Sequence, residues 1–253
     1  MAFVGAALVV AAGSGAPAER LEPRSKEPVS ANLTATPLVL ARGGGYGPAQ
    51  GEVSRAPRSG SRSRRKSLPQ PRPVRSTGRL AVVAGEGPVS GPGSVRRFLV
   101  EVEKGLPIDR ASFAAAVQAI LYDRRGWGAG GRIAFRRVDS PPVAFRVALA
   151  TPGTTDRLCA PLETLGRYSC HQDGRAVLNF WRWWRGARSY GRDLEGYRTY
   201  LVNHEVGHAL GHSWHRPCPR PGARAPVMMQ QTVAVSPCRA SPWPRPEERA
   251  ALP

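Results

Sequence analysis

Residues 204–215 read HEVGHALGHSWH and contain four of the five histidines of the chain. On a helix, His204 and His208 would share one face, about 5–6 Å apart at Cβ. Two imidazoles at that spacing can bind one zinc ion, and Glu205 can reach a water molecule on the metal. Because zinc lowers the pKa of such a water to roughly 7, a carboxylate can deprotonate it at neutral pH. This segment therefore predicts a helix that carries a catalytic zinc site.

The end of this helix decides which histidine can be the third ligand. Asp193 is suited to cap the N-terminus of a helix that is predicted to span residues 194–210. Gly211 favours an end there, because glycine adopts the left-handed backbone conformation at little cost. A chain that turns at Gly211 can bring His215 back to the metal, whereas a continuing helix would present His212 instead. We favour His215 as the third ligand, and His212 is the alternative.

A longer pattern, His-Glu-x-x-His-x-x-Gly-x-x-His followed by a methionine turn, is typical of metzincin proteases. The chain follows this pattern through Gly211 and then has Trp214 where the third histidine is expected. One inserted residue would explain the position of His215. Residues 226–230, with the sequence PVMMQ, are a candidate for the methionine turn, although both methionines also suit an ordinary core.

Further segments extend this likeness along the chain. They are VNHEVGHALGH at 202–212, APVMMQQT at 225–232 and PWP at 242–244, together with Cys218 and Cys238. On these features, roughly residues 94–246 resemble a family of secreted zincin-like proteins from high-GC Gram-positive bacteria. The resemblance implies an α+β, zincin- or metzincin-like catalytic domain with a mixed sheet and an active-site helix that binds zinc.

Composition divides the chain into three parts. An apolar run followed by small residues predicts a signal peptide or a membrane-anchor remnant over residues 1–18. Residues 19–94 are rich in Pro, Gly, Arg and Ser, and we expect disorder there because such a composition buries too little apolar surface. The remainder has the length of one domain. We predict a zincin-like metallopeptidase domain over residues 95–248.

The cysteine count indicates the compartment. Four cysteines in a chain with an export signal predict two disulfides, and three pairings are possible. We favour the pairing of neighbours, Cys159 with Cys170 and Cys218 with Cys238. Reduced buried thiols are the alternative, and a cysteine zinc site is disfavoured because no Cys-x-x-Cys occurs. The predicted location is secreted or membrane-anchored on the extracytoplasmic side.

The charge of the chain bears on its partners. A formal net charge of +19 favours anionic partners such as cell-wall polymers or a membrane surface. The basic run RSRRK at residues 62–66 is also compatible with nucleic acid, which we disfavour for an exported chain. We expect a monomer.

The pattern upstream of the histidines predicts the other elements of the domain. Strands are expected at 97–102, 132–138 and 144–149, and a helix at 109–122. A further strand at 176–180 precedes a tryptophan-rich segment. This order is similar to that of zincins, in which an edge strand near the metal pairs with an extended peptide substrate. The strand at 176–180 could form that edge beside the substrate, whereas the tryptophans that follow it suit the core equally well.

The leading hypothesis is an extracytoplasmic zinc-dependent metalloendopeptidase that hydrolyses protein or peptide substrates. In it His204, His208 and His215 bind Zn²⁺, while Glu205 acts as general base and then passes the proton to the leaving amine. One alternative is a non-catalytic cell-wall or surface binding module on a zincin scaffold. Another is a zinc hydrolase of non-protein amides. Retention of Glu205 beside intact ligands favours catalysis over the binding module.

Overall fold

The computed structural model describes residues 74–252. The predicted signal peptide or anchor at 1–18, and the predicted disordered segment as far as residue 73, lie outside this range. The described residues form an α+β structure around a mixed sheet, as the sequence predicts. None of their helices is long and apolar enough to cross a membrane.

The elements follow the predicted order from the second strand onward. The strands are β1 (Leu80–Val82), β2 (Ser94–Glu103), β3 (Ile133–Arg137), β4 (Phe145–Ala150), β5 (Cys170–Gln172) and β6 (Arg175–Asn179). The helices are α1 (Arg110–Tyr122), α2 (Pro152–Cys159), α3 (Phe180–Arg185), α4 (Leu194–Ala209) and α5 (Pro246–Ala250). The predicted strands and the two longest helices are confirmed, with bounds that differ by only a few residues. The sequence did not indicate β1, β5 or the three shorter helices.

The sheet has the strand order β1-β2-β4-β6-β5, and β3 pairs with the first half of β2. β2, β4 and β6 are parallel, whereas β1 and β5 run antiparallel to their neighbours. The strand predicted at 176–180, for which a position at the edge was left open, is the interior strand β6, so the edge alternative is wrong. Its apolar run is buried on both faces, as is typical of interior parallel strands. The edge at this end of the described sheet is β5.

The first strand lies inside the segment 19–94, for which disorder was expected. Leu80 pairs with Glu103 in an antiparallel ladder, and the Glu103 carboxylate accepts hydrogen bonds from the backbone N–H groups of Thr77 and Gly78. The folded region therefore begins upstream of residue 95. Backbone pairing of a three-residue strand leaves almost no trace in composition, which is why the boundary was set too late.

Side-chain alternation in β6 places two helices on opposite faces of the sheet. Ala176 and Leu178 face the main core, which includes Leu201 and Val206 of α4. Val177 faces the other side, where it packs with cysteines of α2 and β5. Burial of side chains such as Leu178 and Leu201 contributes about 1.5–3 kcal/mol each. This packing fixes α4 across β6, so that its C-terminal half lies beside the edge strand.

Both ends of α4 are set by local signals that the sequence displays. The Asp193 side chain accepts a hydrogen bond of 2.8 Å from the Gly196 N–H at the N-terminus. At the other end Gly211 has φ = +108°, and the His212 N–H donates to the Gly207 carbonyl over 3.0 Å. This bond closes the last turn and sends the chain away from the helix axis.

Candidate metal centre

Three histidines converge at the C-terminal end of α4. His204 and His208 lie one turn apart on the helix, and His215 lies in the loop that follows. One ring nitrogen of each can be chosen so that all three atoms lie within 4.8 Å of one another. The cluster runs from the buried His204 to the exposed His215, so it opens to solvent on one side. This group could hold a metal ion.

The turn at Gly211 selects His215 over His212. Because the helix ends there, the chain reverses and stacks the His215 ring parallel to that of His204, with centroids 5.3 Å apart. His212 points elsewhere, with its ring 5.0 Å from that of Trp127 and its Nε2 buried without a partner. The favoured third member of the cluster is thus the one that the structure brings to the other two.

Backbone carbonyl groups fix the orientation of the two helical histidines. Nδ1 of His204 lies 2.7 Å from the carbonyl oxygen of Val227, and Nδ1 of His208 lies 2.5 Å from that of His212. A carbonyl oxygen can only accept, so each Nδ1 carries the ring proton. Each Nε2 is then left with a free lone pair, which is the arrangement that metal-binding histidines use.

The spacing of the ring nitrogens fits a tetrahedral site. Nε2 of His208 and Nε2 of His215 are 3.3 Å apart. Two nitrogens bonded to zinc at about 2.0–2.1 Å and a tetrahedral angle lie about 3.3–3.4 Å apart. Nε2 of His208 presents a lone pair, so it can either accept a hydrogen bond from His215 or bind a cation that lies between the two rings. The donor set therefore fits a divalent metal.

Burial keeps the cluster in the protonation state that binds metals. Burial, reinforced by the neighbouring His208, lowers the pKa of His204 to about 3. Burial also lowers the pKa of His208 to about 4 and shifts the pKa of His215 downward. All three rings are therefore neutral at neutral pH.

Glu205 lies in the wall of the same cavity. Its side chain is almost fully buried, and burial raises the pKa of its carboxyl to about 8. Within the described chain no hydrogen bond or charge offsets this effect of burial. A carboxyl group of this kind can both hold and release a proton near neutral pH, which is the property of a general acid–base group.

The predicted methionine turn lies beneath the histidines. Met228 is fully buried and packs against α4 at Gly207, where a Cβ would overlap its sulfur and lie 2.7 Å from Cζ2 of Trp127. Trp127 in turn donates a hydrogen bond of 2.9 Å to the carbonyl of Asn203. Gly207 therefore allows both side chains to approach the helix between the two histidines.

Three buried polar side chains that the sequence did not single out hold this turn in place. The Tyr200 hydroxyl donates to the Met229 carbonyl over 3.0 Å. The Gln231 side chain amide donates to the carbonyl groups of Pro226 and Ser241 over 2.9 Å each. The third is Glu248 of α5, which is fully buried. Of these three residues, only Tyr200 could have been suspected from the sequence, because it lies one helical turn before His204.

A cavity of about 670 Å³ adjoins the cluster. Its walls come from the α2–β5 loop, β5, α4 and the loops after α4, and its rim carries the exposed apolar side chains of Leu162 and Val233. No Arg or Lys is among the described residues that line it. The lining therefore differs from the strongly basic composition of the whole chain.

The fifth histidine, His171, also lines this cavity. In the β5–β6 register it pairs with Ala176, on the sheet face that α4 covers, whereas Cys170 pairs with Val177 on the opposite face. Burial lowers the pKa of His171. Alternation along the strand could have identified this residue, had β5 been recognised in the sequence.

Both cysteine pairs form disulfides between neighbours, as favoured. Cys159 bonds Cys170 with a Cα–Cα distance of 6.0 Å, and Cys218 bonds Cys238 with a Cα–Cα distance of 5.7 Å. The first bond joins α2 to the edge strand. The second closes the loop that contains the methionine turn. Two disulfides are consistent with an extracytoplasmic location.

Comparison with known proteins places the chain in a family. A family model described as "Protein of unknown function (DUF3152)" matches residues 69–246 and so includes the whole histidine cluster. No curated protein and no solved structure gives a significant match. The matched segment covers most of the chain, and the chain therefore belongs to the DUF3152 family of proteins of unknown function.

Proposed function

We propose that this chain is a zinc-dependent metalloendopeptidase with a zincin-like fold that acts outside the cytoplasm. The observation that carries the proposal is the placement of three neutral imidazoles and Glu205 around one open cavity. Catalytic zinc sites use three protein ligands and keep one position open, whereas structural sites are closed by four. His204, His208 and His215 would hold the ion through Nε2.

When bound, zinc supplies a Lewis acid that polarises a carbonyl group and lowers the pKa of water to roughly 7. The bonds from Nδ1 of His204 and His208 to backbone carbonyls hold these rings in the orientation that the ion requires. Such partners also make the other ring nitrogen more basic. The donor set is thus preformed, and these two rings would need little reorientation when the metal binds.

Glu205 would move the protons of the reaction. Its carboxylate would accept a proton from the attacking water and its carboxyl would then donate that proton to the leaving amine, a role typically worth 10²–10⁴-fold in rate. Burial alone favours the protonated form at neutral pH, because the pKa is about 8. A nearby divalent cation favours the carboxylate, so metal binding would also activate the base.

The edge strand and the cavity suggest the class of substrate. β5 runs antiparallel at the end of the described sheet, and an extended peptide can add to such an edge through main-chain hydrogen bonds. Since the lining of the cavity has no Arg or Lys among the described residues, neutral or cationic peptides suit it better than acidic ones. The positive charge of the chain would then serve attachment to an anionic wall or membrane surface.

Cleavage of a peptide library by the zinc-loaded protein tests this function, with Glu205→Gln as the matched variant. We expect cleavage by the wild-type protein, loss of cleavage on chelation, and a variant that retains zinc without activity. Zinc binding without cleavage of any peptide or amide would support a binding module instead. Cleavage of non-protein amides but not of peptides would support a zinc hydrolase of non-protein amides. Full activity of Glu205→Gln would show that another group is the base.

A further inference from the structure

We propose that Glu248, in the C-terminal helix α5, is a positioning residue of the metal centre that acts on His204 through a single peptide group. This inference rests on the proposed role of His204 as a metal ligand. Glu248 is fully buried, and its partners are backbone groups of the methionine turn and of its own helix start. Nothing in the local sequence around Glu248 indicates a link to the histidines.

The hydrogen bonds form a continuous chain from the carboxylate to the imidazole. Oε1 of Glu248 accepts from the Met228 N–H over 2.8 Å. That N–H belongs to the same peptide group as the Val227 carbonyl, which accepts from Nδ1 of His204 over 2.7 Å. A carboxylate that binds the N–H end of a peptide increases the negative charge on its carbonyl oxygen, because hydrogen bonds in series polarise one another.

The effect on His204 resembles that of a carboxylate bound directly to a metal-ligating histidine. A stronger acceptor at Nδ1 fixes the ring and makes Nε2 a better donor to the metal. In this protein the carboxylate of Glu248 acts indirectly, because the Val227–Met228 peptide group lies between it and His204. We call this path from Glu248 through the peptide group to His204 the relay. The relay would therefore raise metal affinity without contact between Glu248 and the ion.

Three further hydrogen bonds connect Glu248 and the same turn to the segment next to the third histidine. Oε2 of Glu248 accepts from the N–H groups of Val227 and Arg245, at 3.0 and 2.8 Å. The Met228 carbonyl accepts from the N–H of Arg216, directly after His215, over 3.0 Å. One buried side chain thus anchors the turn that contacts both the helical and the loop part of the cluster.

The chain offers a matched control in Glu103, a second buried carboxylate that binds backbone N–H groups. It is 1% exposed and accepts from the N–H groups of Thr77, Gly78 and Thr151. It has no bond to the methionine turn or to a histidine among the described residues. Glu103→Gln should therefore weaken the fold much as Glu248→Gln does, but leave the metal centre unchanged.

The test compares the full chain with its Glu248→Gln and Glu103→Gln variants by zinc titration against a competing chelator. We expect Glu248→Gln to bind zinc about tenfold more weakly, at the lower end of the effect known for outer-sphere partners, and Glu103→Gln to match the wild type. The absorption spectrum of the Co²⁺-loaded protein should change only in Glu248→Gln. Equal affinities and spectra in all three proteins would overturn the proposal.

Histidine ring NMR of the metal-free protein separates this proposal from the proposed function. We expect a deshielded Nδ1–H signal for His204 in the wild type that moves upfield in Glu248→Gln and stays in Glu103→Gln. If the wild type binds no zinc yet shows this pattern, the metallopeptidase proposal fails and the relay stands. Absence of the Nδ1–H signal in the wild type refutes the relay without any variant.

Discussion

Replacement of Glu205 by glutamine should stabilise the metal-free protein at neutral pH. The side chain is 4% exposed, and burial raises the pKa of its carboxyl from the ordinary 4.5 to about 8. The folded chain therefore holds a proton that the unfolded chain releases above pH 4.5. Stability is fully present below that pH and is lost as the pH rises towards the folded pKa. Glutamine does not titrate, so the variant escapes this loss.

The size of the effect follows from proton linkage. Each pKa unit corresponds to about 1.4 kcal/mol. Ionisation of Glu205 therefore lowers the unfolding free energy of the wild-type protein by about 1 kcal/mol at pH 5 and by about 3 kcal/mol at pH 7. The advantage of Glu205→Gln in unfolding free energy should thus grow by about 2.5 kcal/mol between these two pH values. Packing differences between carboxyl and amide cancel in this comparison. The titrations of His204 and His208 also cancel, because both proteins contain them.

Urea unfolding of chelator-treated protein with its disulfides intact measures this difference at the two pH values. Tryptophan fluorescence can follow the transition, and equal m-values would confirm that both proteins expose the same amount of surface on unfolding. A stability difference that is the same at pH 5 and pH 7 would refute the reasoning, because the carboxyl would then have an ordinary pKa despite its burial. Added zinc should reduce the difference, since a cation favours the carboxylate.

Three further predictions concern the histidine cluster and the residues that support it. His215→Ala should lower zinc affinity by more than about 100-fold, beyond the range of outer-sphere partners, and His212→Ala far less; chelator competition showing the reverse order would contradict the assigned third ligand. Gly207→Ala should destabilise the fold by about 1–3 kcal/mol through overpacking, because the methyl group would overlap Met228; a variant at least as stable in urea would show that this contact relaxes freely. Cys218→Ser should cost about 3 kcal/mol in the chain-entropy picture and also weaken zinc binding, whereas Cys159→Ser should affect stability alone; equal zinc loss in both variants would argue against a special role for the second disulfide.

Features of the structure that depend on a local signal could be predicted from the sequence. The bounds of α4 follow from the Asp193 cap and from Gly211, whose φ of +108° ends the helix. The same glycine favoured His215 over His212, yet the choice stayed open because it depended on whether the helix continued. Only the course of the loop after Gly211 decides which ring meets His204.

Features that depend on distant contacts could not be predicted. Glu248 lies in a short helix far along the chain from His204, and only the folded methionine turn connects them. β5 has three residues and no apolar pattern, so the sequence did not reveal the edge of the sheet, and residues 176–180, which form the interior strand β6, remained a candidate for it. In the same way β1 depends on backbone pairing with β2, which composition does not encode.

The zinc content of the purified protein, with the geometry of the bound ion, bears most directly on the proposed metal centre. Zinc-edge X-ray absorption of protein prepared without chelators should show one ion per chain with three imidazole nitrogens at about 2.0–2.1 Å. Removal of the His215 ring should reduce the imidazole count to two. Protein without stoichiometric zinc, or zinc bound by sulfur at about 2.3 Å, would contradict a site formed by His204, His208 and His215.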